Sequence, residues 1–218
     1  MSAPIGIVLA GAGAIAHTHV AALAKCDGVT VRAVVDTSIE RARELAQTVG
    51  VPAYANVADL PASLDAQAAV VCTPPVTHEP LVLELLARGL HVLCEKPFAI
   101  TSASAQRMLT ASVNAGRLLT MASKFRYVAD VARARRLVAE GAIGEVIAFE
   151  NTFASYVDMT GRWNARPEIS GGGVLIDNGT HSVDLIRYLL GPIDEVRAFA
   201  ARPMQPVPVE DTVHADVH

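Results

Sequence analysis

Residues Pro4 to Ala16, PIGIVLAGAGAIA, decide how the chain is read. Pro4 to Leu9 is a short β-type run. It breaks directly into Gly11-Ala-Gly13-Ala-Ile-Ala16, after which a helical stretch runs to about Lys25. A glycine turn set between a strand and a helix gives weight to an otherwise weak G-x-G-x-x-G/A pattern. Gly11 permits the tight turn, Gly13 lets a pyrophosphate approach the backbone, and Ala16 is small enough for the helix to pack on the strand. Amides at that helix start would face the phosphates, aided by the helix dipole. The plain alternative is a strand–helix turn with no ligand. Asp36 weighs against it. A second β-type run, Val29 to Val35, ends there, 20 residues beyond Ala16, where a carboxylate accepts hydrogen bonds from adenosine ribose hydroxyls. That carboxylate would repel a 2′-phosphate, and Thr37 and Ser38 follow it rather than Arg or Lys. NAD is therefore favoured over NADP.

The pattern repeats down the chain. Ile39 to Val49 reads as a helix stopped by Gly50, and Ala66 to Cys72 as a buried strand ending in Thr73-Pro74-Pro75. Pro80 to Arg88 is a helix closed by Gly89, and Leu90 to Cys94 another buried strand, ending at Glu95-Lys96-Pro97. Thr101 caps a helix to about Ala115, Gly116 stops it, and Arg117 to Ala122 is a further strand. Such alternation implies an α/β fold with a doubly wound parallel sheet. Ligands bind these sheets at the carboxyl ends of the strands. Gly11, Asp36, Thr73 and Lys96 all stand at expected strand ends, so they should share one edge.

From about residue 124 the texture changes, and the expected division is 1–123 and 124–218. A helix over Val131 to Glu140 leads into a long strand, Glu145 to Phe153, then an irregular stretch with the single Trp163. Strands follow at Glu195 to Ala201 and Asp211 to Val217, so the second part reads as an α+β unit on a mostly antiparallel open sheet. Between them lies Gly171 to Leu190, GGGVLIDNGTHSVDLIRYLL. With Val174 to Leu190 taken as one helix at 100° per residue, Asp177, His181, Asp184 and Tyr188 fall in a wedge of roughly 60°. Leu175, Ile176, Val183, Ile186 and Leu190 cover much of the rest, so most of the helix should be buried. Buried polar groups left unpaired cost roughly 1–3 kcal/mol each. Either the stripe is an internal network, with Asp177 holding His181, or it lines a substrate pocket with His181 as an acid/base near neutral pH.

Composition narrows the classes. Of 218 residues, 51% are hydrophobic and only 18% charged, which suits buried parallel strands. The net charge of −4 disfavours nucleic acid as a partner, and Arg133-Ala-Arg-Arg136 reads as a solvated helix face. Cysteines at 26, 72 and 94 are odd in number and widely spaced, against a disulfide framework or zinc site and in keeping with a reducing cytosol. His17 and His19 diverge on a helix. His214 and His218 share a strand face, but no metal site is expected. Ile5 to Ala16 lacks a basic flank and is too short to span a bilayer, so a cytoplasmic protein without a membrane partner is expected.

Together, Gly11-x-Gly13-x-x-Ala16, Cys72-Thr-Pro-Pro75 with His78, Glu95-Lys96-Pro97 and Gly171-Gly-Gly-x-x-x-Asp177-x-x-x-His181 resemble the glucose–fructose oxidoreductase / inositol dehydrogenase / MocA family, from about Ile5 to Gly191. The resemblance implies an N-terminal Rossmann domain and an NAD(P)-dependent dehydrogenase acting on a sugar or polyol. In that reading Lys96 hydrogen-bonds the substrate oxygen, Asp177 positions substrate and imidazole, and His181 takes the hydroxyl proton while hydride passes from the same carbon to nicotinamide. Cofactor contacts carried over are Gly11, Gly13, Ala14, Ile15, Asp36, Thr73, His78, Glu95 and Lys96. The chemistry is coherent: alcohol oxidation needs a base within reach of the O–H, and a cation nearby stabilises developing alkoxide charge. The turn at Pro97 often carries a cis bond in the family. His78 has a second reading as a helix cap, and Lys96 as a surface lysine. Trp163 and Arg162 resemble a segment reaching toward the nicotinamide, with a core Trp as the other reading. Lys124-Phe-Arg-Tyr127 resembles an Arg-Phe segment of the family but departs from it at Lys124 and at Ala129-Asp130, so Arg126 as a substrate contact stays open.

Family chains are longer. The alternation at Glu210 to His218 reads as a half-buried strand cut off in mid-course, whose sheet would expose an edge and an apolar face. A shortened chain, or a homo-oligomer packed through this sheet as in the family, follows. Two other functions share the fold: an NAD-dependent glycosidase, and a non-catalytic NAD-binding regulator, which loss of the lysine or histidine would favour.

Overall fold

Strand β1 (Ile5–Ala10) is the middle of the first unit, and its side chains sort to two faces with the period of two that a strand imposes. The computed structural model describes residues 3–218, which divide into two compact units, 3–122 and 123–218. In the first, β1 is followed by α1 (Ala14–Leu23), β2 (Val29–Val35), α2 (Ile39–Val49), β3 (Ala53–Tyr54), β4 (Ala68–Val71), α3 (His78–Ala87), β5 (His91–Cys94), α4 (Ser102–Ala115) and β6 (Leu119–Met121). All strands run parallel, in the order β3-β2-β1-β4-β5-β6. This is the doubly wound order of dinucleotide-binding sheets, with its switch point between β1 and β4. Val8 and Ala10 pack with Val82, Leu85, Leu86 and Met108 on one face. Ile7 and Leu9 pack with Ala16, Ala42, Leu45 and Ala46 on the other.

Local signals placed the helix ends. The Ser38 hydroxyl accepts from the Arg41 amide at the start of α2, and Gly50 closes it in the left-handed conformation. Thr101 and Gly116 do the same for α4. The two-residue β3 was not anticipated. It adds only two paired positions, Val34 with Ala53 and Val35 with Tyr54.

The second unit contains α5 (Ala129–Ala139), the short α6 (Pro167–Ser170), a π-helical turn over Leu175–Gly179, α7 (Thr180–Leu189) and an antiparallel hairpin of β7 (Val196–Ala200) and β8 (Val213–Val217). Two expectations fail here. The strand expected over Glu145 to Phe153 is absent, residues 146–159 having no regular structure. A β-type sequence needs a partner edge for its amides and carbonyls, and among the described residues none is paired with this run. The helix expected over 174–190 is not uniform, because the π turn breaks the 100° spacing. Nor is it mostly buried: Leu175 and Val183 are 44% and 43% exposed, whereas His181 and Asp184 are 7% and 8%. Among the described residues no helix is long and apolar enough to cross a membrane.

Candidate functional site

At the switch point of the first unit, β1 and β4 end side by side, with Ala10 opposite Val71. Gly11 follows with φ 105°, and a Cβ there would lie 2.8 Å from the Cys72 carbonyl carbon and 3.0 Å from the Thr73 methyl. Only glycine fits that turn. Gly13, the residue before α1, is the opposite case, since a Cβ on it would meet nothing within 4 Å. Helix α1 begins there without a side-chain cap, so its first amides stand beside open space where an anion could be received. Ala14 and Ile15 stand exposed on that first turn. Asp36 closes the far side: its Oδ2 accepts from the Ala12 amide and its Oδ1 from the Ser38 amide, both at 2.8 Å. Each oxygen keeps a lone pair for a further donor. The residues present fit a dinucleotide: a turn that tolerates only glycine, a cradle that a side chain at position 13 would fill, and a carboxylate fixed at the end of β2.

The Thr73 and Thr77 hydroxyls lie 2.7 Å apart. His78 is wholly buried, with Nε2 2.8 Å from the Thr73 carbonyl and Nδ1 3.0 Å from that of Pro97. Burial lowers its pKa, against the upward pull of the Thr73, Phe98 and Pro97 carbonyls. The ring ties the Thr73 turn to the Pro97 turn and caps no helix amide, unlike the capping alternative read from sequence. In this position it braces the edge from behind.

Glu95-Lys96-Pro97 leaves the end of β5 with a cis Lys96–Pro97 bond. Glu95 is held from two sides: Oε2 accepts from the Lys96 amide at 3.0 Å, and Oε1 lies 2.8 Å from Nε2 of His19 on α1. Burial raises the Glu95 pKa, but the His19 and Lys96 hydrogen bonds outweigh it and hold the carboxyl below its usual range. Lys96 is half-buried. The nearby thiols are not nucleophiles at neutral pH, since burial, with Glu95 adding to it, pushes Cys72 up to about 12 and Cys94 higher still.

In the second unit the expected polar stripe divides. Asp184 receives Arg126 through both Nε and Nη2, at 2.6–2.9 Å. Arg126 also lies over the Tyr188 ring at 5.2 Å, and Arg135 over the same ring at 4.6 Å. Asp184 and Tyr188 therefore belong to an internal network, and that network occupies Arg126. The Asp177 carboxylate accepts from Nδ2 of the Asn164 side chain at 3.3 Å. His181 packs edge-on against Phe125, ring centroids 4.9 Å apart, with Phe153 at 6.1 Å. Trp163 is half-buried and Arg162 exposed. The sequence reading considered His19 only as a metal ligand and Phe125 only as part of the Lys124–Tyr127 segment, and it gave no site role to Phe153 or Glu210. His19 carries a faint signal, lying one helical turn from Ala16 on the dinucleotide helix; Glu210 carries none, as its contacts span 35 to 37 residues.

A parallel six-stranded sheet with glycines, a fixed aspartate and a lysine turn along its carboxyl edge defines the class of dinucleotide-binding oxidoreductase folds. Within it the chain belongs to the GFO/IDH/MocA oxidoreductase family: residues 5–123 match "Oxidoreductase family, NAD-binding Rossmann fold", and residues 131–218 match the GFO/IDH/MocA C-terminal domain. It is 33% identical over 214 residues to 1,5-anhydro-D-fructose reductase of Ensifer adhaerens, covering 96% of this chain and 64% of the reductase. It is 32% identical over 197 residues to inositol 2-dehydrogenase of Streptomyces avermitilis, covering 88% of this chain and 54% of that enzyme. The crystal structure of the WlbA dehydrogenase from Bordetella pertussis, in complex with NADH and UDP-GlcNAcA, superposes with a TM-score of 0.88 at 27% identity, over 100% of this chain and 64% of that one. The chain thus spans between half and two thirds of the length of these relatives.

Proposed function

We propose that the protein is an NAD-dependent dehydrogenase that oxidises a carbinol carbon of a sugar or polyol. The observation that carries this is the shared carboxyl edge of the first unit, where Gly11, Gly13 and Asp36 build a dinucleotide cradle and Lys96 follows β5 on the same edge. The names of the relatives supply the substrate class. Gly11, Gly13, Ala14 and Ile15 would hold the pyrophosphate, and Asp36 the adenosine ribose. Thr73, Glu95 and Lys96 would line the remainder, with His78 bracing them. Nicotinamide, when bound, supplies the acceptor for the hydride of the carbinol.

The chain's own groups handle the proton. His181 takes it from the substrate hydroxyl, its ring plane set by the Phe125 edge contact. Asp177 orients the substrate and the imidazole. Lys96, in the first unit, would supply a cation of the kind that stabilises charge developing on a substrate oxygen. NAD is preferred to NADP because the Asp36 carboxylate stands where a 2′-phosphate would have to sit. We further propose a homo-oligomer through the β7–β8 sheet, on which Val196 and Phe199 are 59% and 65% exposed.

The test is a panel of myo-inositol, glucose and methyl glucoside with NAD+ or NADP+, and of 1,5-anhydro-D-fructose with NADH, followed by nicotinamide absorbance. Net NADH formation that His181→Gln and Lys96→Ala each abolish supports the reading. NADH binding without turnover of any probe would favour a binding protein. Light scattering that gives a monomer at micromolar concentration would count against the oligomer.

A further inference from the structure

The three glycines at 171–173 open the helical stretch that carries Asp177 and His181, yet the group pressed against them comes from far along the chain. Glu210 lies in the loop before β8. Its carboxylate accepts from the Gly173 amide, 3.0 Å to each oxygen, and from the Leu175 amide at 3.1 Å. Its backbone carbonyl accepts from the Val174 amide at 2.8 Å. These three successive amides stand at the start of the helical stretch, where no carbonyl of the preceding turn is available to them. One residue therefore caps three amides of the first turn, and its negative charge sits at the positive end of the helix dipole. The approach is close enough to dictate the sequence: a Cβ on Gly173 would fall 1.9 Å from the Glu210 carbonyl oxygen. Glycine at 173 is thus required by the backbone at residue 210.

The effect reaches the site in two short steps. The Asp177 amide donates to the Gly173 carbonyl at 3.1 Å, so Asp177 is tied to the capped residue. The Thr180 hydroxyl then donates to the Ile176 carbonyl at 2.7 Å, joining the π turn to α7 one residue before His181. We propose that Glu210 is a positioning residue for Asp177 and His181, a cap delivered from the β7–β8 hairpin that sets the rotation of the helix from which both project. The proposal rests on the reading of Asp177 and His181 as the reacting groups.

The test compares Glu210→Ala and Glu210→Gln in the full chain, using histidine ring resonances, with His181 assigned through His181→Gln, and amide hydrogen exchange. Loss of the Glu210 carboxylate should speed exchange at residues 173 and 175 by roughly tenfold, the equivalent of one ordinary hydrogen bond, while Val174, whose amide is held by the backbone carbonyl of residue 210, serves as the internal reference. That loss should also move the His181 ring resonances while leaving those of His19 and His78 in place. Gln keeps one acceptor oxygen and should give smaller changes in the same sense; it decides the matter if the Ala variant does not fold. Unchanged His181 resonances and unchanged exchange in a folded variant would overturn the proposal. On whichever probe the parent protein turns over, kcat should fall by roughly 10²-fold, the scale set by a 1 Å misplacement, with NADH affinity unaltered. An equal loss of NADH affinity would instead mean general destabilisation and would also overturn it. Turnover of no probe would remove the dehydrogenase reading, while resonances and exchange still judge the cap.

Discussion

His19 on the dinucleotide helix and Glu95 in the lysine turn are joined across 2.8 Å, both largely shielded from solvent, with side chains 18% and 12% exposed. The contact links the element that would receive the pyrophosphate to the turn that carries Lys96. Because the Glu95 pKa is lowered in the folded state from an ordinary value of 4.5, its contribution is fully present above that value. It is lost as pH falls through the lower folded-state value. Thermal unfolding of the first unit should accordingly show an acid-side loss of stability below about pH 4.5, and Glu95→Gln should flatten that limb while lowering stability at pH 7. An unaltered acid limb in the variant would mean that other carboxylates govern it.

Gly11 and Gly13 make a matched pair of tests. Alanine at 11 meets a backbone carbon at 2.8 Å with φ at 105°, and should destabilise the first unit by about 1–3 kcal/mol. Alanine at 13 meets nothing within 4 Å, and should leave stability within about 0.5 kcal/mol while weakening NADH binding. Calorimetry and a fluorescence titration on the two variants separate these effects. If Gly13→Ala binds NADH as the parent does, the cradle assignment fails.

Much of the first unit was legible because its signals are local. Gly50, Thr101 and Gly116 mark helix ends through contacts within a few residues, whereas the two faces of β1, apolar throughout, emerge only from its packing. The second unit was less legible for physical reasons that differ from place to place. Residues 145–153 have the composition of a strand, but composition cannot say whether an edge is available to pair with. The π turn at Leu175–Gly179 altered the angular spacing on which the polar stripe was drawn. Glu210 and Arg126 act on residues tens of positions away, and a single sequence carries no mark of such contacts.

Arg126 illustrates what that hides. Its two-pronged contact with the buried Asp184 raises the Arg126 pKa and occupies the guanidinium within its own unit. Asp184→Asn should destabilise the second unit by about 1–3 kcal/mol, as expected when a hydrogen-bonded charge loses its partner. Arg126→Lys should be nearly as costly, since an ammonium cannot reproduce the paired geometry. Neither should raise KM for the probe substrate selectively. Such an increase, without loss of thermal stability, would show that Arg126 leaves Asp184 to meet substrate.

Asp36 offers the sharpest test of cofactor choice, because its orientation is set before any ligand arrives. The Ala12 and Ser38 amides each hold one oxygen at 2.8 Å, so no reordering is needed to accept two ribose hydroxyls, and the same fixed charge opposes a phosphate in their place. Hydrogen bonds to a charged acceptor contribute about 1.5–3 kcal/mol, which corresponds to roughly 10- to 150-fold in affinity. Asp36→Ala should therefore weaken NADH binding by a factor in that range. NADPH binding, relieved of repulsion, should hold or improve, so that the ratio of the two dissociation constants moves toward unity. If both cofactors weaken equally, the carboxylate serves only to shape the Ala12–Ser38 loop, and the proposal that Asp36 selects NAD fails.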